Sequence, residues 1–165
     1  MPEFVYTPLP DQEDIDDGLF LGHLDVTGNA GTTTTRASRR PDDGMGILLF
    51  PALLDLLDGV GGLLRRGRGR FASCDIGLPL TFKLKGQVMS IRRRLTVLDE
   101  SSPQAVADAV WVAARKLSDS HLARVVTATE YTDITADGEV EYIDYRVRLP
   151  AAMSRFQDAR KSLTG

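Results

Sequence analysis

The chain has 165 residues, a length that suits one domain able to bury a core without disulfides or metals. Its residues are 42% hydrophobic and 26% charged, a globular composition that argues against wholesale disorder. The net charge of -3 gives no overall attraction to nucleic acid or acidic membranes. The lone Cys74 excludes an intramolecular disulfide and a cysteine-rich metal site.

The N-terminus lacks the basic start and apolar run of a signal peptide. The longest apolar stretch, residues 47–64, carries Asp55 and Asp58. Each aspartate would cost roughly 2.5–3.5 kcal/mol at the centre of a bilayer. We therefore expect no membrane span and a cytoplasmic location.

The first part of the chain predicts an arm and then a strand. Residues 1–18 are rich in proline and acidic residues and predict an N-terminal arm or loop, followed by one α+β domain over residues 19–165. Residues 19–27 place Phe20, Leu24 and Val26 on one side at a period of two, which predicts a strand. Residues 28–46 contain four consecutive threonines that could extend this strand, but otherwise predict a long loop.

The next segment, about residues 47–66, predicts one long buried helix. It is apolar on nearly every face, which is typical of a helix buried on all sides. Pro51 suits the first turn of such a helix. Gly59, Gly61 and Gly62 either weaken its last turns or allow a neighbouring element to pack closely.

Strands dominate the prediction after the helix. Apolar residues alternate strictly over residues 72–84, which predicts one long strand, with Cys74 as a core residue. A turn at residues 85–87 leads into a second strand over residues 89–97. Residues 101–117 favour a helix, with a strand as the alternative. Strands over residues 123–133 and 143–149 flank an Asp137-Gly138 turn, and Pro150 opens a terminal helix over residues 151–163.

Three segments carry a resemblance to hotdog-fold acyl-CoA thioesterases. Residues 51–64 resemble the family's central helix, with Asp58 followed four places later by Gly62. Residues 71–82 are similar to the family's first long strand after the helix, and residues 125–149 look like its closing hairpin. One departure is that Leu49, Phe50 and Pro51 stand where the family often has His-Gly-Gly or Asn-Gly-Gly.

The resemblance implies a hotdog-like α+β fold, in which a curved antiparallel sheet wraps around one long buried helix. It further implies an acyl-CoA or acyl carrier protein thioester as substrate. The expected assembly is a homodimer or higher homo-oligomer with its site at the interface.

Asp55 and Asp58 are the candidate catalytic residues. They lie three apart, so they share one face of a helix in an apolar segment. Asp58 would act as general base or nucleophile on the thioester. The alternative is that one aspartate hydrogen-bonds a neighbouring turn while the other meets solvent.

Glycines and arginines near the end of the helix are candidate substrate-binding residues. The backbone amides around Gly59, Gly61 and Gly62 could donate to the developing oxyanion. Arg65, Arg66, Arg68 and Arg70 could hold the phosphates of coenzyme A, since guanidinium groups match phosphate oxygens. The alternatives for this cluster are nucleic acid or a solvated turn that balances the helix C-terminus.

The remaining signals limit the choice of function. No aromatic residues alternate with the arginines, so we expect no nucleic-acid partner. His23 and His121 lie far apart without metal-ligand spacing, so we expect no metal, and no motif indicates a cofactor. Two functions remain: an acyl-thioester enzyme, or a non-catalytic module on the same fold that binds a ligand or another protein.

Overall fold

A computed structural model describes residues 1–12, 15–36, 46–73, 78–131 and 141–165. The helices in these ranges are α1 (Leu49–Arg66), α2 (Pro103–His121) and α3 (Tyr145–Lys161), with a short 3-10 helix at Leu122–Arg124. The strands are β1 (Glu3–Pro8), β2 (Leu21–Thr27), β3 (Thr32–Thr34), β4 (Ile47–Leu48), β5 (Gly69–Ala72), β6 (Leu80–Lys85), β7 (Val88–Arg93), β8 (Thr96–Ser101), β9 (Thr129–Tyr131) and β10 (Glu141–Ile143).

The described strands form three antiparallel sheets. In the first, β2 pairs with β1 along one edge and with β3 and β4 along the other. The second is a meander in the order β5-β6-β7-β8, and the third is the two-stranded β9–β10 ladder. The α+β class, with antiparallel sheets and a long helix packed against them, is confirmed. The described strands form no closed barrel, and the hotdog arrangement stays a prediction.

Helix α1 is the centre of the core, because neighbours cover almost all of its surface. It packs against α2 and α3 on the helical side and against strands of the first and second sheets. Its fully buried residues include Leu49, Phe50, Leu53, Leu57 and Leu63. The prediction of a helix buried on nearly all sides is therefore confirmed, and Pro51 lies in the first turn, where its missing N–H costs no helical hydrogen bond.

The turn between β2 and β3 joins the first sheet to the second. The backbone N–H of Asn29 donates to Asp99 Oδ1 at 2.9 Å, and that of Ala30 donates to the carbonyl of Leu98 at the same distance. On β7, the strand next to β8, the Arg93 guanidinium donates to Oγ1 of Thr33 on β3 at 2.7 Å. The bonds from Asn29 and Ala30 cover part of the open edge of β8, which would otherwise expose unpaired backbone groups.

The N-terminal segment is more ordered than predicted. Within the predicted arm, residues 1–18, the stretch Glu3–Pro8 is strand β1, paired with β2 over its whole length. The interpretation as a loop is wrong there, because the acidic and proline-rich composition of residues 8–17 obscured the alternation of Phe4 and Tyr6. The boundary between an arm and a domain at residue 18 stays a prediction.

The long strand predicted over residues 72–84 is wrong, because the chain reverses within it. Phe71 pairs with Phe82 and Ala72 pairs with Thr81 in an antiparallel ladder. Alternation of apolar residues persists on both arms of a hairpin, so the pattern does not show where the direction changes. The predicted core residue Cys74 lies outside the described residues.

The strand predicted over residues 143–149 is also wrong beyond Ile143. Helix α3 begins at Tyr145, where the Asp144 side chain accepts from the N–H of Arg146 at 3.0 Å. Tyr145, Leu149 and Phe156 are buried, whereas Val147 is 68% exposed. Apolar positions here fit both a period of two and the spacing of a helix, and the longer helical pattern prevails. The terminal helix thus starts before Pro150, which lies inside it.

Other predicted elements are confirmed in whole or in part. The second strand predicted over residues 89–97 is wrong beyond Arg93, because a turn at Arg94 and Leu95 separates β7 from β8. Of the helix predicted over residues 101–117, residues 103–117 fall within α2, and Ser102 caps the helix by accepting from the N–H of Ala105. The turn at residues 85–87 joins β6 to β7, with Gly86 at a φ of 61°. Of the strand predicted over residues 123–133, the stretch Thr129–Tyr131 is a strand, and the Asp137-Gly138 turn lies outside the described residues.

Candidate functional site

A cleft bordered by described residues lies between the N-terminal half of α1 and the β9–β10 ladder with the start of α3. Its volume is about 550 Å³, which is within the range of small-molecule sites. The described lining residues are mainly apolar, but two aspartates, an arginine and a threonine are among them: Leu19, Leu48, Pro51, Leu54, Asp55, Asp58, Thr129, Ile143, Tyr145 and Arg148.

Helix geometry places both predicted catalytic aspartates in this cleft. Positions 51, 54, 55 and 58 follow the spacing of one helical face, so Pro51, Leu54, Asp55 and Asp58 all line the same wall. The face is apolar toward the start of the helix and acidic one turn later. The sequence therefore predicted that the two carboxylates lie side by side, and the structure places them at a cavity.

The two carboxylates have different surroundings. Asp55 Oδ2 accepts from the Ser73 hydroxyl at 3.0 Å, which ties α1 to the chain just after β5. Asp58 Oδ1 accepts from Arg155 of α3 at 3.2 Å, and the Asp58 side chain remains 51% exposed. Asp55 thus has a structural partner, whereas Asp58 keeps access to solvent and to the cleft.

The opposite wall contributes residues that the sequence analysis did not select. Arg148 is exposed on the first turns of α3 and makes no ion pair with another residue of the described ranges. Thr129 of β9 donates to the carbonyl of Asp17 at 2.7 Å. The centre of the Tyr145 ring lies 5.4 Å from the centre of the Phe50 ring. Recognising Asp144 as a helix N-cap would have placed Arg148 on a helix beside Tyr145.

Gly18 leaves the space that the Tyr145 ring needs. Its φ is +83°, a backbone region that favours glycine, and a Cβ built there would lie 2.6 Å from Tyr145 Cδ2. The ring can therefore line the cleft only because position 18 has no side chain.

The predicted substrate-binding glycines lie inside α1. The N–H groups of Gly59, Gly61 and Gly62 are at interior positions of the helix, where each serves an intrahelical hydrogen bond. Gly59 faces Phe71 and Gly61 faces Phe156, so both allow close packing of neighbouring elements. None of the three glycines lines the cleft.

The four residues of the predicted arginine cluster lie on three successive parts of the chain. Arg65 and Arg66 lie in the last turn of α1, and their guanidinium nitrogens come within 3.4 Å of the positions that a Cβ on Gly61 and Gly62 would occupy. Arg68 follows in the turn, and Arg70 lies on β5 with its side chain on the opposite face of the strand from Phe71. None of the four borders the cleft.

A second, smaller cleft lies beside the end of α2. Its volume is about 260 Å³, and the residues that line it include His121, Arg124, Phe20 and Gln12. The His121 ring stacks on Phe20 at 5.0 Å, and its Nδ1 lies 2.6 Å from the Ser120 hydroxyl. Burial of the imidazole, together with the nearby charge of Arg124, holds the pKa of His121 below its ordinary value.

Further features of the described ranges bear on the type of site. No three His, Cys, Asp or Glu side chains among the described residues converge in a geometry that could hold a metal ion. None of the helices in those ranges is long and apolar enough to cross a membrane.

Comparison with known proteins adds no relative. No family model matches the chain, and no match was found among curated proteins or among solved structures.

Proposed function

We propose that the cleft between α1 and the β9–β10 ladder binds an amphipathic small molecule with an apolar, acyl-like body. The observation that supports this proposal is the lining itself, in which apolar side chains surround a few polar groups. Apolar walls with a few polar groups that orient the ligand are typical of small-molecule sites. Leu48, Leu54 and Ile143 would contact the body of the ligand.

Arg148 is the group that would recognise the polar end of the ligand. It is exposed at the cleft and makes no ion pair with another described residue. Its guanidinium can donate two parallel hydrogen bonds to a carboxylate or phosphate, or one to a carbonyl oxygen. An acyl chain that ends in an anionic or thioester group therefore matches both the walls and this cation.

Binding of a panel of acyl-CoAs and free fatty acids, measured by titration calorimetry, tests the proposal. We expect Arg148→Gln to weaken binding roughly tenfold, because it removes a charge-assisted hydrogen bond. Leu54→Trp should weaken binding at least as much by filling the cleft. Val112→Trp places the same bulk on an exposed position of α2 and should leave the affinity unchanged.

Two outcomes would contradict this proposal. One is that no ligand of the panel saturates the protein. The other is that the Arg148→Gln protein binds as tightly as the wild type, and this result stays informative even if Leu54→Trp fails to fold.

Acyl-thioester hydrolysis is a second candidate function at the same cleft. The observation that favours it is that Asp58 lines the cleft while remaining half exposed, so it could activate a water molecule beside a bound thioester. Because the α1 glycine amides serve the helix, Arg148 would have to stabilise the oxyanion. The hotdog fold and the homodimer implied by the sequence resemblance belong to this candidate.

Thiol release from acyl-CoAs distinguishes hydrolysis from binding alone. If Asp58 is the base, Asp58→Asn should abolish turnover while the affinity for the substrate persists. Asp119→Asn removes an exposed carboxylate near the end of α2 and should keep full turnover. Undiminished turnover in the Asp58→Asn protein would exclude Asp58 as the base. If the wild type binds acyl-CoAs but releases no thiol, the cleft binds the ligand without hydrolysing it.

A further inference from the structure

The outer face of the second sheet carries a group of cations that the cleft does not use. In β6, Leu80, Phe82 and Leu84 point into the core, so Lys83 and Lys85 point outward. The register of the ladder places Arg70 of β5 and Arg92 of β7 on the same outer side. We call these four residues, Arg70, Lys83, Lys85 and Arg92, the basic sheet face.

The basic sheet face brings like charges together. Arg70 is directly opposite Lys83, and directly opposed like charges destabilise a sheet. None of the four cations makes an ion pair with another residue of the described ranges, and all four are exposed. Among the described residues of these four strands, the acidic residue on the same side is Glu100 of β8, which lies two strands from Lys83.

An exposed apolar residue lies at one end of the second sheet. Leu95 is 94% exposed and occupies a two-residue turn between β7 and β8. Arg94, the other residue of the turn, has a φ of 54°, which is uncommon for a residue other than glycine. Of the two arginines that precede the turn, Arg92 lies on the outer side of the sheet, whereas Arg93 donates to Thr33.

We propose that the basic sheet face docks on an anionic lipid surface, with Leu95 entering the interface between headgroups and acyl chains. A broad face of a sheet can bring several cations within a Debye length of a planar anionic surface at once. Burial of the leucine would add an apolar contribution that a soluble polyanion cannot provide.

The shape and composition of the face favour lipid over other polyanions. None of the four cations borders either of the two clefts described above, so neither cleft could hold an acidic peptide against this face. A broad sheet face does not enter a DNA groove, which admits a helix or a two-stranded ribbon. The basic sheet face also lacks an aromatic side chain for stacking on single-stranded bases. The proposal does not depend on the function of the cleft.

Co-sedimentation of the full chain with lipid vesicles tests this proposal. The vesicles are neutral phosphatidylcholine, or phosphatidylcholine with 30% phosphatidylserine, at low and at physiological salt. We expect binding only to the anionic vesicles, weakening as salt increases. Each cation near such a surface strengthens partitioning about fivefold, so Lys83→Gln with Arg92→Gln should weaken binding roughly 25-fold. Leu95→Ser should weaken it about tenfold.

The matched control removes the same charge from another surface. Arg115→Gln with Lys116→Gln changes two exposed cations of α2 and should bind the vesicles almost as the wild type does. Equal losses in the two double variants would overturn the proposal, because net charge alone would then explain binding. Equal binding to neutral vesicles, or no binding to anionic ones, would also overturn it. So would tighter binding of polyglutamate or RNA that the Leu95→Ser change leaves unaffected.

Discussion

Arg160 of α3 donates from Nε to Oδ1 of Asp108 on α2 at 2.7 Å, and this contact joins the two helices that flank the core. The same guanidinium lies 5.5 Å from the centre of the Trp111 ring and donates to Gln157 at 2.8 Å. Gln104 also donates to Asp108 Oδ1, so one carboxylate oxygen serves both a neutral and a charged donor. Both charged side chains are largely shielded, with 26% and 34% of their surfaces exposed.

We expect Arg160→Ala to lower the free energy of unfolding by about 1–2 kcal/mol, since it removes a charge-assisted hydrogen bond and a cation–π contact. A double-mutant cycle with Asp108→Ala, measured by urea unfolding, should give a coupling of about 0.5–1 kcal/mol. The exposed pair of Arg115 and Asp119 within α2 is the control, with an expected coupling of about 0.3–0.5 kcal/mol. A smaller coupling for Arg160 and Asp108 than for the control pair would contradict this assignment.

Gly59→Ala should destabilise the protein, although alanine is the better helix former by about 1 kcal/mol. A Cβ at position 59 would lie 2.1–2.3 Å from atoms of the Phe71 ring, so β5 would have to move away from α1. Overpacking of this kind costs about 1–3 kcal/mol, and we expect a net loss of about 1–2 kcal/mol in thermal or urea unfolding.

Gly62→Ala is the matched control for the previous change. The Cβ would meet the guanidinium end of Arg66 at 3.1 Å, and a flexible exposed side chain can move. The helix preference should then prevail, and stability should stay equal or rise by up to about 1 kcal/mol. Equal effects of the two alanines would refute the packing argument for Gly59.

Gly18→Ala should both destabilise the protein and alter the cleft. The positive φ is strained for alanine, and the Cβ would overlap the Tyr145 ring. We expect a loss of about 2–3 kcal/mol, together with weaker binding of any ligand that occupies the cleft. Gly86→Ala is the comparison, since Gly86 also has a positive φ but a Cβ there would meet no atom within 4 Å. Gly86→Ala should lower the free energy of unfolding by less than Gly18→Ala and should leave ligand affinity unchanged. An equal loss of affinity in the two variants would contradict the proposal that Gly18 keeps the Tyr145 ring in place at the cleft.

The stability of the protein should decrease as the pH falls below 6.5, in part because of His121. The pKa of His121 is lowered in the folded protein, first by burial and then by Arg124. The unfolded chain therefore takes up the proton first, and the free energy of unfolding falls with pH from about 6.5 to the lower folded pKa. Above pH 7 both states are neutral at this residue, and its contribution is constant.

His121→Gln isolates this contribution in urea unfolding between pH 5 and 8. The difference in unfolding free energy between wild type and variant should stay constant above pH 7. Below pH 6.5 the wild type should lose stability relative to the variant. A difference that is independent of pH, or that shifts in favour of the wild type in acid, would contradict the assignment.

The elements predicted from the sequence are those with a complete local signal. Residues 101–117 carry a serine-proline start and an apolar stripe, and Ser102 does cap α2. The β6–β7 hairpin follows from alternation on both arms around Gly86. Where one pattern fits two structures, prediction failed: alternation continued across the reversal between β5 and β6, and the residues around Tyr145 suited both a strand and a helix.

The sequence by itself determined that α1 is buried on nearly all sides and that Asp55 and Asp58 share one of its faces, because helical spacing is a local property of the chain. Only the tertiary structure decided that Arg148 and Tyr145 form the facing wall and that Asp58 meets Arg155 from 97 positions away. It also decided that Arg70 lies on a paired strand, whereas Arg65 and Arg66 end the helix. Such distant contacts depend on how helices and sheets bury their apolar faces together, and no local stretch of sequence carries that information.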